Sequence, residues 1–324
     1  MAHRVLLSVM GPLVLATYMP TCHTPVVHPG EPDAWQDRMS ELWVQPSNLQ
    51  ERDLLRGRWG EEHAPDPGGR YRFVAPKLSG SNPGVVVRDA EGRKWNVKQP
   101  HPDRGEEGRT EVTLARVLEA VGYHQPPVYY LPSFRLLGDG PPRTVDGGRF
   151  RLNLKALDAG ETWSWHENPF VGSRPYQGLL VILMLFNSSD LKDSNNILYR
   201  YTPATGPPET WYVVRDLGMA LGETGRIGPA RGDIRAFERT RFVLGVEQGF
   251  VRFGYHGFHQ ELVTGRVTPG DVRWACDLLG GLSDRQWRDA FAAGGFEPPV
   301  ATRFITRLQQ RIEAGRAVGA VGDQ

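Results

Sequence analysis

Cysteine is nearly missing from this chain. Among 324 residues there are two, Cys22 and Cys276, in unlike surroundings, which argues against a disulfide framework. An excess of one charge is missing too. Lys and Arg number 38 against 37 Asp and Glu, a formal net charge of +1, and this removes any bulk electrostatic case for a nucleic-acid partner. Internal repeats are absent. Long hydrophobic runs are few: Val5–Met19 and Tyr176–Phe186 both fall short of the roughly 20 residues a helix needs to cross a bilayer. What is present is globular: 40% hydrophobic and 23% charged residues, with 38 Gly and 26 Pro to supply turns. The length suits one large two-lobed domain or two small ones.

The first residues read as an export signal. Arg4 precedes the apolar run, and Cys22 follows it in the sequence MPTC. A lipoprotein signal places a cysteine there, normally after small residues. Met19-Pro20 departs from that pattern, so lipoprotein, simple secretion and an uncleaved N-terminus all stay open. The expected location is the cell envelope or the extracellular space, with a lipid at Cys22 as the sole membrane link. Residues 1–22 are thus assigned to a signal, 23–69 to a linker and a helical extension, 70–158 and 159–318 to two lobes, and 319–324 to a tail. In the extension, Ser47 reads as the cap of one of two short helices.

From Tyr71 the pattern changes to strands. YRFVAPKL, VVVRD and RKWNVKQ read as three strands separated by the turns SGSNPG and AEG. In the third, Trp95 and Val97 share one face and Asn96 and Lys98 the other. Thr110–Val121 reads as a helix with Glu111 in its first turn, and PVYYLPSFRLL and GGRFRLNL add two more strands. Near Leu154–Gly160 the chain is expected to pass between lobes. Trp163, Trp165 and Phe170 then form a wall at a cleft or a plug at the junction. The apolar stretch Tyr176–Phe186 fits a central buried helix.

Two segments carry the chemistry, NSSDLKDSNNILY (Asn187–Tyr199) and VVRDLG (Val213–Gly218). Asp190 is followed five residues on by Asn195. Ile197–Tyr199 and Trp211–Val214 then form a hairpin that brings Asn195 to Asp216. An amide and a carboxylate so placed suit magnesium or manganese, which prefer few, hard oxygen ligands with phosphate and water completing the shell. Asp190 stands where it would accept a proton or hydrogen bond from an attacking hydroxyl. Asn196 is a rival for the Asn195 position, and Asp193 reads as loop surface.

These residues resemble protein-kinase motifs. DLKDSN is similar to the kinase catalytic loop, and RDLG resembles the metal-binding Asp-Phe-Gly with Leu217 in the Phe place. The whole chain resembles the atypical branch of the protein-kinase-like superfamily, which includes HipA-type, phosphoinositide and secretory-pathway kinases, and within it a group of exported bacterial proteins. The resemblance covers roughly Tyr71–Gly222 by motif. It implies an α+β, two-lobed fold, a small N-terminal antiparallel sheet lobe beside a mainly helical C-terminal lobe. It further implies that Lys98 pairs a nucleotide's phosphates, that Glu111 positions Lys98, that the turn with Gly80, Ser81, Asn82 and Gly84 covers the nucleotide, and that Lys192 assists the transferred phosphate. On residue type alone, Lys98 also reads as an edge charge, Glu111 as a favourable charge at a helix N-terminus, Lys192 as a solvated lysine and the turn as an ordinary hairpin. Ser188-Ser189 replace the usual His-Arg, so control through a phosphorylated activation loop is not expected.

The expected function is ATP-dependent phosphotransfer, with magnesium or manganese, to a hydroxyl on a protein, sugar or lipid, carried out by a monomer. A catalytically inactive binding module and an AMP transferase are the alternatives. After Gly218, GETGRIGPARGD reads as a flexible loop whose Arg226 and Arg231 meet an acidic substrate or nothing. Ile234–Gly315 reads as helices separated by loops, capped at Thr268 and Ser283, with Cys276 a small core residue. His256 and His259 in YHGFH suggest a metal pair, but lacking a third ligand nearby they are assigned to surface or packing, and His166 to a hydrogen-bonded loop.

Overall fold

The computed structural model describes residues 36–78, 82–101, 105, 107–226 and 228–319. The segment expected to direct export, with Cys22, and Gly80 and Ser81 of the turn expected to cover a nucleotide lie outside the described residues. Among those described, no helix is long and apolar enough to cross a membrane.

The fold is α+β. Five strands, β1 (Arg70–Pro76), β2 (Gly84–Arg88), β3 (Lys94–Lys98), β4 (Val128–Leu137) and β5 (Arg143–Leu152), are those expected. They do not form an open antiparallel sheet, however. Arg70–Arg72 pair in parallel with Arg135–Leu137, which closes the order β1-β2-β3-β5-β4 into a barrel. Closure removes both sheet edges. Aromatic bulk fills the interior: Tyr71, Phe134 and Phe150 meet with ring centroids 5.1–5.8 Å apart, and Trp95 lies 5.9 Å from Phe150. Gly147 lies where the long hairpin passes Pro132, with the Leu131 and Pro132 backbone too close to admit a Cβ. Because side chains alternate along a strand, Trp95 and Val97 point into this core and Lys98 points out of it.

Helix α1 (Glu107–Ala120) packs against β4 and β5 on one side and α5 (Asp284–Ala293) on the other. It begins three residues earlier than the apolar pattern indicates, and this brings Glu107 into the fold's interior. Helix α2 (Arg174–Leu185) is buried on every face from Pro175 onward, with Ser173 capping the Tyr176 N–H. Against it pack α4 (Pro269–Gly280) and α6 (Pro298–Arg316). Both expected caps form: Thr268 with Asp271, and Ser283 with Gln286, make reciprocal capping boxes. Cys276 is fully buried.

Between barrel and helices runs a three-stranded sheet, β6 (Leu157–Ala159), β7 (Asn196–Tyr201) and β8 (Glu209–Val214). Its Ile197, Tyr199, Trp211 and Val213 join the barrel's apolar core, while α1 joins the core of the helices. Trp163, Trp165 and Phe170 are buried in that second core, so they do not line a cleft.

Two expectations are corrected. The helical extension is reduced to single 3-10 turns at Met39–Glu41 and Leu49–Glu51, and Ser47 caps neither. Leu42 and Leu54 are drawn into the core, and short segments held by packing do not repay the cost of helix nucleation. Beyond the short helix α3 (Ile234–Arg239), the stretch read as helical contains a hairpin, β9 (Val243–Glu247) and β10 (Phe250–Phe253). Gln248 and Gly249 turn it with φ of 51° and 82°, the doubly positive pair that two-residue hairpin loops need.

Candidate active site

Lys98 ends β3 on the outer face of the barrel, and α1 crosses that face. Its Nζ lies 3.2 Å from Glu111 Oε2, 3.4 Å from Glu107 Oε2 and 3.4 Å from Asp216 Oδ1. The ammonium is therefore neither an edge charge nor solvated, and Glu111 faces it instead of serving only the helix end. Asp216 follows β8 with φ 53°, a left-handed conformation that turns the chain sharply after the strand. Two residues on, Gly218 passes so near α1 that an added Cβ would sit 2.9 Å from the Glu107 Cβ and carbonyl oxygen. Only glycine allows the RDLG segment this approach.

The β7–β8 hairpin sets the remaining groups. Asn196 pairs with Val214, and the Arg215 N–H donates to the Asn195 carbonyl at 2.8 Å, so Asn195 and Asp216 leave adjacent strands side by side. The Asn195 side-chain NH2 donates to the Asp190 carbonyl oxygen at 2.8 Å. This leaves the amide oxygen as the group available to a cation. Asn196 is fully buried and its NH2 donates to Trp163 O, which takes it out of contention. The Asp190 carboxylate meets Lys192 Nζ at 2.8 Å, and that ammonium also sits 4.3 Å from the centre of the Phe258 ring. Asp193 is not idle surface: its carboxylate accepts from the Trp165 N–H at 3.1 Å. Asn82 is buried and Gly84 heads β2, where the Val97 carbonyl leaves no room for a Cβ.

Residue-type reasoning missed three charged groups here, Arg149, Arg151 and Glu107. Arg149, almost wholly buried on β5, donates to Asn96 O at 3.1 Å and reaches Glu111 Oε1 at 2.9 Å and Asp216 Oδ1 at 3.8 Å. Arg151, on the same face, adds positive field at Asp216. Glu107 joins Lys98, and Arg231 pairs with Glu107, so Arg231 does not wait for a substrate. Arg226 donates to Gly257 O. The available signal was alternation in GGRFRLNL, where Arg149 and Arg151 alternate with the core residues Phe150 and Leu152.

The cluster sets four cations, Lys98, Arg149, Arg151 and Arg231, against three carboxylates, Glu107, Glu111 and Asp216. Burial opposes ionisation of Glu111, yet Arg149 and Lys98 hold its carboxyl below the usual range. Burial also opposes ionisation of Asp216, and Lys98, Arg151 and Arg149 overcome it and hold that carboxyl well below its ordinary value. The Asp216 side chain keeps a third of its surface exposed, so it is reachable from outside. Burial, with Lys98 and Arg149 beside it, draws the Lys77 ammonium below its usual value. A pocket lined by Glu111, Gln125, Arg151, Arg215 and Asp216 opens on the cluster. A larger pocket of about 870 Å³ lies between Arg109, the Gly228–Arg235 segment and Phe296–Val300, and touches the cluster through Arg231.

No family model and no curated protein sequence matches the chain. Among solved structures it is similar to the Helicobacter pylori proinflammatory kinase CtkA, at 9% identity over 76% of this chain and 96% of that one, with a TM-score of 0.43. It is also similar to the golgi casein kinase, at 10% identity over 89% of this chain and 85% of that one, with a TM-score of 0.39.

Proposed function

We propose that the protein is an ATP-dependent phosphotransferase of the atypical kinase type, two-lobed in organisation, acting on a hydroxyl-bearing acceptor. One observation carries this reading: Lys98 contacts a helix carboxylate, Glu111, and the post-hairpin carboxylate, Asp216, together. An isolated surface lysine has no reason to meet both.

The donor set fits a hard divalent cation, because the Asn195 amide oxygen and the Asp216 carboxylate are oxygen ligands brought together by one hairpin. Magnesium or manganese, when bound, neutralises charge on the phosphates. The protein's share is positioning and electrostatics. Lys98 supplies positive charge to the nucleotide's phosphates while Glu111, itself held by Arg149, fixes its place. Asn82 and Gly84 belong to the turn that covers the nucleotide. Asp190 orients the acceptor hydroxyl and takes its proton, and Lys192 beside it meets the transferred phosphoryl group. Export, with or without a lipid at Cys22, is part of the same proposal, and mapping the N-terminus of protein from its native host tests it.

The test is intact-mass analysis after incubation with ATP and manganese, beside Asp216→Ala. A gain equal to a phosphoryl group, absent in the variant, is the expected result. A gain equal to AMP indicates nucleotidyl transfer. No gain, together with no thermal shift on adding nucleotide, identifies a binding module with other ligands and overturns the proposal.

A further inference from the structure

Away from the charged cluster, two loops far apart in sequence bring three ligand-type atoms to one point. His166 Nε2 lies 3.3 Å from His259 Nδ1 and 3.3 Å from Glu261 Oε1, and His259 Nδ1 lies 2.7 Å from Glu261 Oε1. His259 thus gains two further ligand groups, Glu261 two residues on and His166 from 93 residues away. His256, the other histidine of that motif, is not part of the group.

The triangle has the size of a metal face. Ligands about 2.0–2.1 Å from a tetrahedral zinc stand ~3.3 Å from one another, and two of the three edges have that length. The third is shorter by the amount a direct imidazole–carboxylate hydrogen bond explains. With no cation, both imidazoles can donate to the Glu261 carboxylate, which lies 2.7 Å from His259 Nδ1 and 3.3 Å from His166 Nε2; a cation takes the place of those two protons and uses the same three atoms. All three side chains are partly exposed, at 36%, 33% and 55%, so an ion from solution has access.

We propose that His166, His259 and Glu261 bind one zinc-class divalent cation, with water in the fourth position. Two imidazoles and one carboxylate suit zinc better than magnesium. The site is separate from the Asn195–Asp216 pair and holds whether or not the phosphotransfer reading does. Its place gives it a positioning role. The Trp165 N–H is bonded to Asp193, the Phe258 N–H donates to Ser189 O at 3.2 Å, and Lys192 rests on the Phe258 ring. A cation joining His166 to His259 and Glu261 therefore clips together the two loops that flank Ser189–Asp193.

The experiment uses metal-free full-length protein titrated with Zn²⁺ by calorimetry and with Co²⁺ by visible absorption. One equivalent of zinc, and the intense visible bands of four-coordinate cobalt, are expected. His166→Ala and His259→Ala should each weaken binding by about 100-fold or more, while His256→Ala and Asp216→Asn should bind as the parent does. Zinc should also raise the thermal midpoint of the parent and leave that of His259→Ala unchanged. Failure of the parent to bind, a pale six-coordinate cobalt spectrum, or parent-like binding by the His166 and His259 variants overturns the assignment. Loss of phosphotransfer in Asp216→Asn with zinc binding intact separates this site from the proposed catalytic one.

Discussion

Lys98 Nζ lies 3.4 Å from Asp216 Oδ1, across 118 residues of chain. The contact joins the last residue of a barrel strand to the second residue past the β7–β8 hairpin, and Glu111 of α1 also meets Lys98. Asp216→Asn tests what the carboxylate does there. Asparagine tolerates the left-handed backbone that Asp216 adopts at φ 53°, so the turn survives. Loss of the charge should lower nucleotide-dependent phosphotransfer by about 10²–10³-fold, measured as the initial rate of self-modification, with the far-ultraviolet dichroism unchanged.

Arg149 and Glu111 form a buried pair at 2.9 Å, and breaking such a pair leaves one charge uncompensated. Arg149→Met should cost about 3–5 kcal/mol, read as a lower urea midpoint. Glu111→Gln in the same chain should restore much of it. The sign of the pH effect follows from the lowered Glu111 carboxyl. Its contribution is complete above the unfolded value of 4.5 and is lost as pH falls through the lower folded value. Arg149→Met should therefore lose less stability on acidification below about pH 4.5 than the parent does.

His124 provides an independent pH signal. It is buried, stacked on Trp211 with ring centroids 4.4 Å apart, and its Nε2 meets Ser40 O at 2.7 Å. Burial, only partly offset by that hydrogen bond, draws the imidazole from 6.5 down to about 4. Protonation is disfavoured in the folded state, so stability is full above pH 6.5 and declines as pH falls toward 4. At about 1.4 kcal/mol per unit, the loss attributable to His124 is on the order of 3 kcal/mol. His124→Phe should flatten the urea-midpoint profile over that window, and an unchanged slope would show that some other group titrates.

Patterns that depend on neighbours in sequence were legible, and those that depend on closure were not. The all-apolar run of α2, the caps at Thr268 and Ser283, and the hairpin that sets Asn195 beside Asp216 are local. Arg149 and Glu107 were missed because a charged residue on a strand or before a helix looks solvated until the barrel closes over it. The parallel β1–β4 pairing that closes it joins residues 65 positions apart, Arg70 and Arg135, without a turn signal to announce it. The β9–β10 hairpin had its signal, Gln248-Gly249, but lay in a region otherwise made of helices. His166 and Glu261 were not legible as partners of His259 for different reasons: His166 lies 93 residues away along the chain, and Glu261 is an exposed glutamate that by residue type looks like ordinary surface charge.

Gly218 links packing to chemistry. An added methyl would meet the Glu107 Cβ and carbonyl at 2.9 Å, and neither belongs to the free end of a flexible side chain. Gly218→Ala should push the RDLG segment from α1 and cost about 1–3 kcal/mol. Because Asp216 is two residues away, phosphotransfer should fall further than the fraction of folded protein does at the same temperature. Parallel measurement of activity and melting midpoint checks this, and equal losses in both would place the effect in folding alone.

Asp190 supplies the sharpest division between binding and chemistry. Its backbone carbonyl accepts from Asn195, whereas its carboxylate faces Lys192 and takes no part in holding Lys98. Substitution by asparagine keeps the backbone bond and the side-chain shape and removes the proton acceptor. Nucleotide affinity should therefore stay within about threefold of the parent, because the groups assigned to the phosphates and the cation are untouched. The rate of phosphotransfer should fall by about 10²–10⁴-fold, the range for loss of a positioned base. Nucleotide binding by calorimetry beside single-turnover rates gives both numbers. A parallel loss of affinity and rate would instead place Asp190 among the groups that hold the cation, and would move the acceptor hydroxyl to a different base.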